Sequence, residues 1–326
     1  MKNWLNRLKS RPDAESAPTA AAQADVPDRS TAPSGDPAGA EIEAAWYRWL
    51  TASAATEVPA DLEQRMLDQV RALARDPAAA AELVPRVPEV VPQLLRSMRD
   101  EGASSAELAR QVAQDVVLVA EVIREANSAY YRPITPVKNA EAAIMMLGQN
   151  GLRMLLARVA FRPIVNMQAE GFARRAGPRI WDQSVKCALA ASLMAPGLTA
   201  GVFESYLAGL MQNVGLVVAW RLAERTHPGS VPASPEFGTA LLAASRRISA
   251  GIAAHWDFPA DVCEAIARAG EPGDAALAQA LAQGDRIAKL RMLIDAHQVD
   301  EDDALVSEGL TSFQRRCLGK LENIED

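Results

Sequence analysis

The segment Leu207–Val218 is the feature that most constrains the fold, because nearly all of its residues are apolar. In a helix of this composition the apolar residues cover most of the circumference, which is typical of a helix buried in a protein core. Two adjacent amides, Gln212 and Asn213, interrupt the run and are followed by Gly215. A buried amide without hydrogen-bond partners costs about 1–3 kcal/mol. The sequence therefore predicts a core helix whose amide pair needs partners on neighbouring elements.

Composition predicts an all-α fold. Long stretches of Ala, Leu, Arg and Glu favour helix, and no region shows the alternation of β-branched residues that is typical of strands. The net charge of -7 argues against a general nucleic-acid-binding surface, which needs a basic face. Three cysteines far apart have no metal-ligand spacing and are expected to act as small apolar residues. Without a signal peptide or an apolar run of about 20 residues, we expect a cytoplasmic protein with no stable membrane insertion.

The amino-terminal quarter divides into two parts. Residues 1–40 are expected to be a disordered linker with a short basic amphipathic start, since residues 11–40 are rich in Pro, Ala and small polar residues. Residues 41–82 read as a helical accessory element, a pair of helices split around Val58–Pro59. This element packs either on the main body or on another chain, and the sequence does not decide between them.

Several separated motifs of the remaining chain, taken together and in order, resemble the HDOD domain (HD-related output domain) of bacteria. The resemblance covers roughly residues 83–295. The matching segments are Pro85-x-x-Pro88-x-Val90, Gln114–Asp115, Ala126–Tyr131, Pro136–Gly148, Trp181-x-x-Ser184, Leu207–Leu210, His255–Pro259 with Val262, and Ala265–Ile266.

The resemblance implies a multi-helix bundle in two helical halves within an HDOD-like domain at 83–326. The amino-terminal half is expected at 83–165. The second half, at 166–326, is expected to be related to HD-type metal-dependent phosphohydrolases. Such domains are regarded as signalling modules rather than enzymes.

The positions at which the resemblance implies metal ligands carry other residues in this chain. Where the resemblance implies histidines, this chain has Gln183, Ser245 and the pair Ala269–Gly270. Where it implies the His-Asp pair, the chain has Gln212–Asn213. Asp285 alone keeps the carboxylate of the pattern. Because an HD-type site lowers the pKa of a metal-bound water, and one carboxylate without imidazoles is no transition-metal site, we expect no catalytic residue, no metal and no cofactor.

Two functions remain open at this point. The first is a non-catalytic signal-transduction module that binds other signalling proteins, of unknown identity, with a homo-oligomer possible and no nucleic acid expected. The second is a small-molecule sensor of nucleotide type, which uses a vestigial HD cleft (Gln183, Gln212, Asn213, Ser245 and Asp285) without hydrolysis. Arg246 and Arg247 next to this cleft favour an anionic ligand.

Overall fold

A computed structural model describes most of the chain. The described residues are 36–84, 112, 116–128, 131, 133–165, 171–271 and 273–322. The basic start, nearly all of the predicted linker and the Pro85–Val90 and Gln114–Asp115 motifs lie outside these residues.

The described residues confirm an all-α fold. The helices are α1 (Pro37–Thr51), α2 (Ala60–Leu73), α3 (Pro77–Glu82), α4 (Val116–Ala126), α5 (Ala140–Val165), α6 (Gly171–Met194), α7 (Val202–Met211), α8 (Val214–Thr226), α9 (Pro235–His255), α10 (Ala260–Ala267), α11 (Ala276–Asp295), α12 (Ala304–Ser307) and α13 (Ser312–Lys320), with a short 3₁₀ turn at Ala195–Leu198. Two short segments, β1 (Ala55–Thr56) and β2 (Val231–Pro232), pair in parallel.

Several helix boundaries differ from the sequence-based prediction. The central apolar run is not one helix, because α7 ends at Met211 and α8 begins at Val214, with the amide pair in the turn between them. The apolar pattern predicts a carboxy-terminal helix at 308–323, and α13 forms within that range but begins later, because Thr311 caps its amino terminus. Helix α1 begins at Pro37, slightly inside the predicted linker.

Helix α6 lies at the centre of the bundle and packs against α7 and α11. Both contacts are close because the partner helices present a glycine. A Cβ on Gly209 of α7 would lie 2.6 Å from the Cα of Ala188, and one on Gly284 of α11 would lie 2.6 Å from the backbone nitrogen of Ala191. Backbone contact at this distance brings α7 and α11 against α6, and with them the residues of the vestigial HD cleft.

The amino-terminal helices pack on the same chain. Helix α1 contacts α11, α9 and α6, while α2 and α3 contact α9, and α2 also contacts α8. Ile42, Trp46 and Leu50 of α1 are buried in the common core. The structure thereby answers the question that the sequence left open, since the accessory element packs on the main body.

One described stretch, Val202–Thr226, is long and apolar enough to cross a membrane by length and composition. Its most apolar window is 89% buried inside the fold. This burial is that of core helices, as the sequence predicts for the Leu207–Val218 segment.

Candidate functional site

Four of the five predicted cleft residues come together between helices α6, α7, α8 and α11. Gln183 projects from α6, Gln212 and Asn213 form the turn between α7 and α8, and Asp285 lies on α11. Gln183 and Gln212 are almost fully buried, and Asn213 is 9% exposed. Polar groups at this depth need partners inside the protein.

The amides form a chain of hydrogen bonds that ends on one carboxylate oxygen. The Nδ2 of Asn213 donates to the Oε1 of Gln183. The Nε2 of Gln183 then donates to the Oδ1 of Asp285 at 2.6 Å, and the Nε2 of Gln212 donates to the same oxygen at 2.9 Å. Each amide therefore has the partner that the sequence required of it.

The other oxygen of Asp285 is held by a lysine that sequence reasoning missed. Lys289, one helical turn further along α11, donates from Nζ to the Oδ2 of Asp285 at 2.6 Å. The lysine side chain is only 4% exposed. Burial alone would lower its pKa, but Asp285 and Glu43 outweigh this effect and the pKa is raised. Lys289 is therefore a buried ammonium ion at neutral pH.

A second missed residue, Glu43, reaches this ammonium from helix α1. Its Oε2 lies 2.7 Å from the Nζ of Lys289 and also accepts a hydrogen bond from Arg246 of α9. Burial would raise the pKa of Glu43, yet the charges of Lys289 and Arg246 lower it to about 2. The i,i+4 spacing of Asp285 and Lys289 was a usable signal, whereas nothing local to Glu43 indicates its distant partners.

Ser245 is placed beside the cleft, but its hydroxyl points elsewhere. Its Oγ donates to the carbonyl of Leu242 on its own helix, at 2.8 Å. Ser249, one turn later, serves the amide turn instead. Its Oγ donates to the carbonyl of Gln212 at 2.7 Å and accepts from the backbone N–H of Gly215 at 2.8 Å. Ser249 thus satisfies the backbone where α7 ends and α8 begins.

The donor set of the cleft does not fit a divalent transition metal. Both oxygens of Asp285 are engaged by amide N–H groups and an ammonium ion, and no imidazole reaches the carboxylate among the described contacts. Burial, and then Asp285, raise the pKa of the Cys187 thiol well above its usual range, so a thiolate ligand is disfavoured. Within the described ranges, no group of three His, Cys, Asp or Glu side chains is arranged to hold a metal.

Three solved structures share the fold. A HDOD domain protein of unknown function from Geobacter sulfurreducens has a TM-score of 0.54 at 20% identity, over 78% of this chain and 94% of its own. A protein of Shewanella amazonensis SB2B with an inferred metal-dependent phosphohydrolase role has a TM-score of 0.56 at 21% identity, over 80% and 100%. A protein of Marinobacter aquaeolei VT8 assigned to signal transduction has a TM-score of 0.54 at 19% identity, over 81% and 67%.

Sequence comparison gives one curated relative and a family. An uncharacterized protein of Treponema pallidum (strain Nichols) is 25% identical over 163 residues, which are 49% of this chain and 30% of that protein. The chain thus spans less than a third of this relative. The HDOD domain family matches residues 84–272, more than half of the chain. The chain belongs to the HDOD domain family.

Proposed function

We propose that the protein is a non-catalytic regulatory module of bacterial signal transduction, which acts by binding other proteins. The observation that carries the proposal is Lys289. This residue provides the cleft with a cation of its own, bonded to the one carboxylate that the superfamily pattern retains. An HD-type phosphohydrolase needs that carboxylate to coordinate a metal ion, which then activates water.

The charges and hydrogen bonds of the cleft support a structural role. Asp285 accepts from Gln183, Gln212 and Lys289, and the buried ammonium is balanced by Glu43. For a metal ion to bind Asp285, it would have to displace Lys289 from that carboxylate and break one of the two ion pairs of the buried ammonium. Breaking a buried ion pair in this way costs about 3–5 kcal/mol.

The solved relatives carry two different functional assignments, one to phosphohydrolases and one to signal transduction. The donor set of this chain favours the second. The resemblance to HD-type proteins implies histidines where this chain has Gln183, Gln212, Ser245 and the pair Ala269–Gly270. In this proposal the cleft residues stabilise the packing of the helices, and the protein partner binds the outer surface of the domain.

Affinity purification from the native cell with mass spectrometry tests the binding role, with the full chain as bait. Asn213→Ala is the matched control bait, since its change lies inside the cleft. We expect the same specific partners with both baits. Absence of any specific partner contradicts the proposal.

A hydrolysis assay tests the non-catalytic role separately. Purified protein is incubated with nucleotides and phosphodiesters in the presence of Mg²⁺, Mn²⁺, Fe²⁺ or Zn²⁺, and no turnover is expected. Turnover that Asp285→Asn abolishes would show that the cleft is an active site.

The alternative function, a nucleotide-type sensor, rests on the cations beside the cleft. Arg246 is already bonded to Glu43, which disfavours a free anionic ligand in this conformation. A thermal-shift screen against nucleotides and cyclic dinucleotides distinguishes the two functions. We expect that no nucleotide raises Tm more than a simple salt of the same counter-ion does. A saturable rise in Tm with one nucleotide would favour the sensor.

A further inference from the structure

We infer that Arg246 and Lys289 together form an oxyanion-binding site, and that the chain fills this site with its own Glu43 carboxylate. The inference concerns how the cleft is closed, and it stands independently of the protein partners proposed above.

Three helices build the site from separate directions. Lys289 of α11 donates to the Oε2 of Glu43 at 2.7 Å, and Arg246 of α9 donates to the same oxygen. The side chains are largely buried, at 4% exposed for Lys289, 12% for Arg246 and 21% for Glu43. Two cations converging on one buried oxygen is the arrangement with which proteins bind carboxylate and phosphate groups.

Gly270 provides the space that the guanidinium group of Arg246 occupies. A Cβ on Gly270 would lie 2.6 Å from the NH1 of Arg246. The resemblance to HD-type proteins implies a histidine at this position. With glycine there instead, the guanidinium occupies the space that a side chain would need, and it is aimed at Glu43.

The charge balance explains why an anion is required. Lys289 and Arg246 carry two positive charges, and Asp285 and Glu43 supply two negative ones. Without Glu43 the group would hold one uncompensated buried cation, which is costly in a medium of low dielectric constant. The ligand class is therefore a small oxyanion of the carboxylate or phosphate type.

Helix α1 also covers the site from outside. The ring of Trp46, one turn after Glu43, lies 5.2 Å from the Nζ of Lys289, within range of a cation–π contact. Trp46 is fully buried. In the wild-type protein the Glu43 carboxylate therefore occupies the site, and an added anion has to compete with it.

Chemical rescue of Glu43→Ala tests the inference in the full-length chain. Alanine removes the carboxylate and leaves a space beside the two cations, so Tm falls below that of the wild type. Added sodium formate then raises the Tm of this variant saturably, by roughly 2–4 °C, relative to sodium chloride of equal ionic strength. Glu43→Gln is the matched control, because its amide fills the same volume and leaves no room for the ion.

Two further arms complete the experiment. Sodium phosphate in place of formate tests the size of the site. A site that accepts only a carboxylate gives no rescue with phosphate, whereas a larger site gives rescue with both ions. Rescue by formate supports the inference in either case. The double variant Glu43→Ala/Arg246→Met is expected to lose the rescue. If Glu43→Ala is insoluble, the refolding yield with and without formate replaces Tm. Equal responses of Glu43→Ala, Glu43→Gln and the wild type to formate would overturn the inference.

Discussion

Asn213 stands at the beginning of a hydrogen-bond chain that has a defined direction. Its Nδ2 donates to Gln183, whose own Nε2 donates to Asp285. The orientation of the Gln183 amide therefore depends on Asn213 being a donor. An aspartate at this position, which is the residue of an HD-type site, would place its carboxylate against the carbonyl oxygen of Gln183.

We predict that Asn213→Asp lowers stability and restores no hydrolysis. If Gln183 turns its amide to donate to the new carboxylate, it loses its bond to Asp285, so one buried polar group is left unpaired in either orientation. The expected cost is about 1–3 kcal/mol, measured by urea unfolding. Metal-dependent phosphatase activity in this single variant would contradict the prediction, because the imidazole ligands would then be dispensable.

Glu43 predicts a specific dependence of stability on pH. Its pKa falls from 4.5 to about 2 on folding, mainly through Lys289 and Arg246 acting against burial. A carboxyl group with a lowered pKa stabilises the fold above its unfolded pKa, and this contribution is lost as the pH falls through the folded value. The wild type should thus exceed Glu43→Gln in stability at pH 7, by up to about 3 kcal/mol. The difference should shrink between pH 4.5 and pH 2.

Tm measured against pH for both proteins checks this prediction. The other carboxylates titrate in both proteins, so the difference between the two curves isolates Glu43. A difference that stays constant from pH 7 to pH 2 would show that the Glu43 carboxylate has no stabilising ion pairs.

The individual residues of the cleft were predictable to different extents. Gln183, Gln212, Asn213 and Asp285 could be found because they stand at known positions of a family order, and the cost of burying amides required partners for them. Ser245 was predicted as a cleft residue, but its hydroxyl bonds to the carbonyl of Leu242, since a serine in a helix can turn to its own backbone. Whether Ser245 or Ser249 faces the Gln212–Asn213 turn depends on how α9 is rotated about its axis, and this rotation is determined by packing against the other helices.

At the scale of elements, the separation of α6 and α11 is set by a glycine. Gly284 precedes Asp285, and a Cβ there would lie 2.6–2.9 Å from the backbone and Cβ of Ala191. Any side chain would push α11 away from α6. That shift would also separate Gln183 from Asp285, because these residues lie on the same two helices.

We predict that Gly284→Ala destabilises the protein by about 1–3 kcal/mol, the usual cost of overpacking a core. Gly319→Ala is the matched control, since a Cβ on Gly319 in helix α13 meets no atom within 4 Å. This control should be stabilising by about 0.5–1 kcal/mol, because alanine is the better helix former. Chemical denaturation of the two variants gives both signs. Equal effects from both changes would show that the α6–α11 contact tolerates a methyl group.

The helix pair split around Val58–Pro59 was predictable from periodicity and breakers, whereas the division of the central apolar run was not, for a physical reason. The helical pattern of apolar residues continues through Gln212 and Asn213, so the sequence predicts one helix where the structure has α7 and α8. The break is stable because Ser249 of another helix bonds the backbone on both sides of it. A long-range partner of this kind leaves no trace in the local pattern.

At the scale of the whole molecule, the amino-terminal helices are part of the common core. Ile42, Trp46 and Leu50 of α1 and Met66 and Val70 of α2 are fully or almost fully buried. At about 1.5–3 kcal/mol for each large apolar side chain, these five contribute roughly 7–15 kcal/mol. The ion pairs of Glu43 and the β1–β2 pairing add further attachments.

The apolar burial of α1 and α2 also limits whether an added anion can displace Glu43 in the wild-type protein. Binding with a Kd of 1 mM provides about 4 kcal/mol at the standard state, which is less than the apolar burial that holds α1 and α2. A small oxyanion therefore does not displace Glu43 by releasing the helix.

The last prediction follows from this burial. A fragment of residues 83–326, which contains the whole family-matched region, should fail to fold cooperatively, because it loses the helices that cover α8, α9 and α11. The matched control begins at residue 36 and retains α1, α2 and α3. We expect it to unfold in one transition with the Tm of the full chain, since the composition of residues 11–35 predicts no packed core. Circular dichroism melts and size-exclusion chromatography of the two fragments check this, and a soluble 83–326 fragment with a sharp transition near the full-length Tm would show that the HDOD-like part folds without its amino-terminal helices.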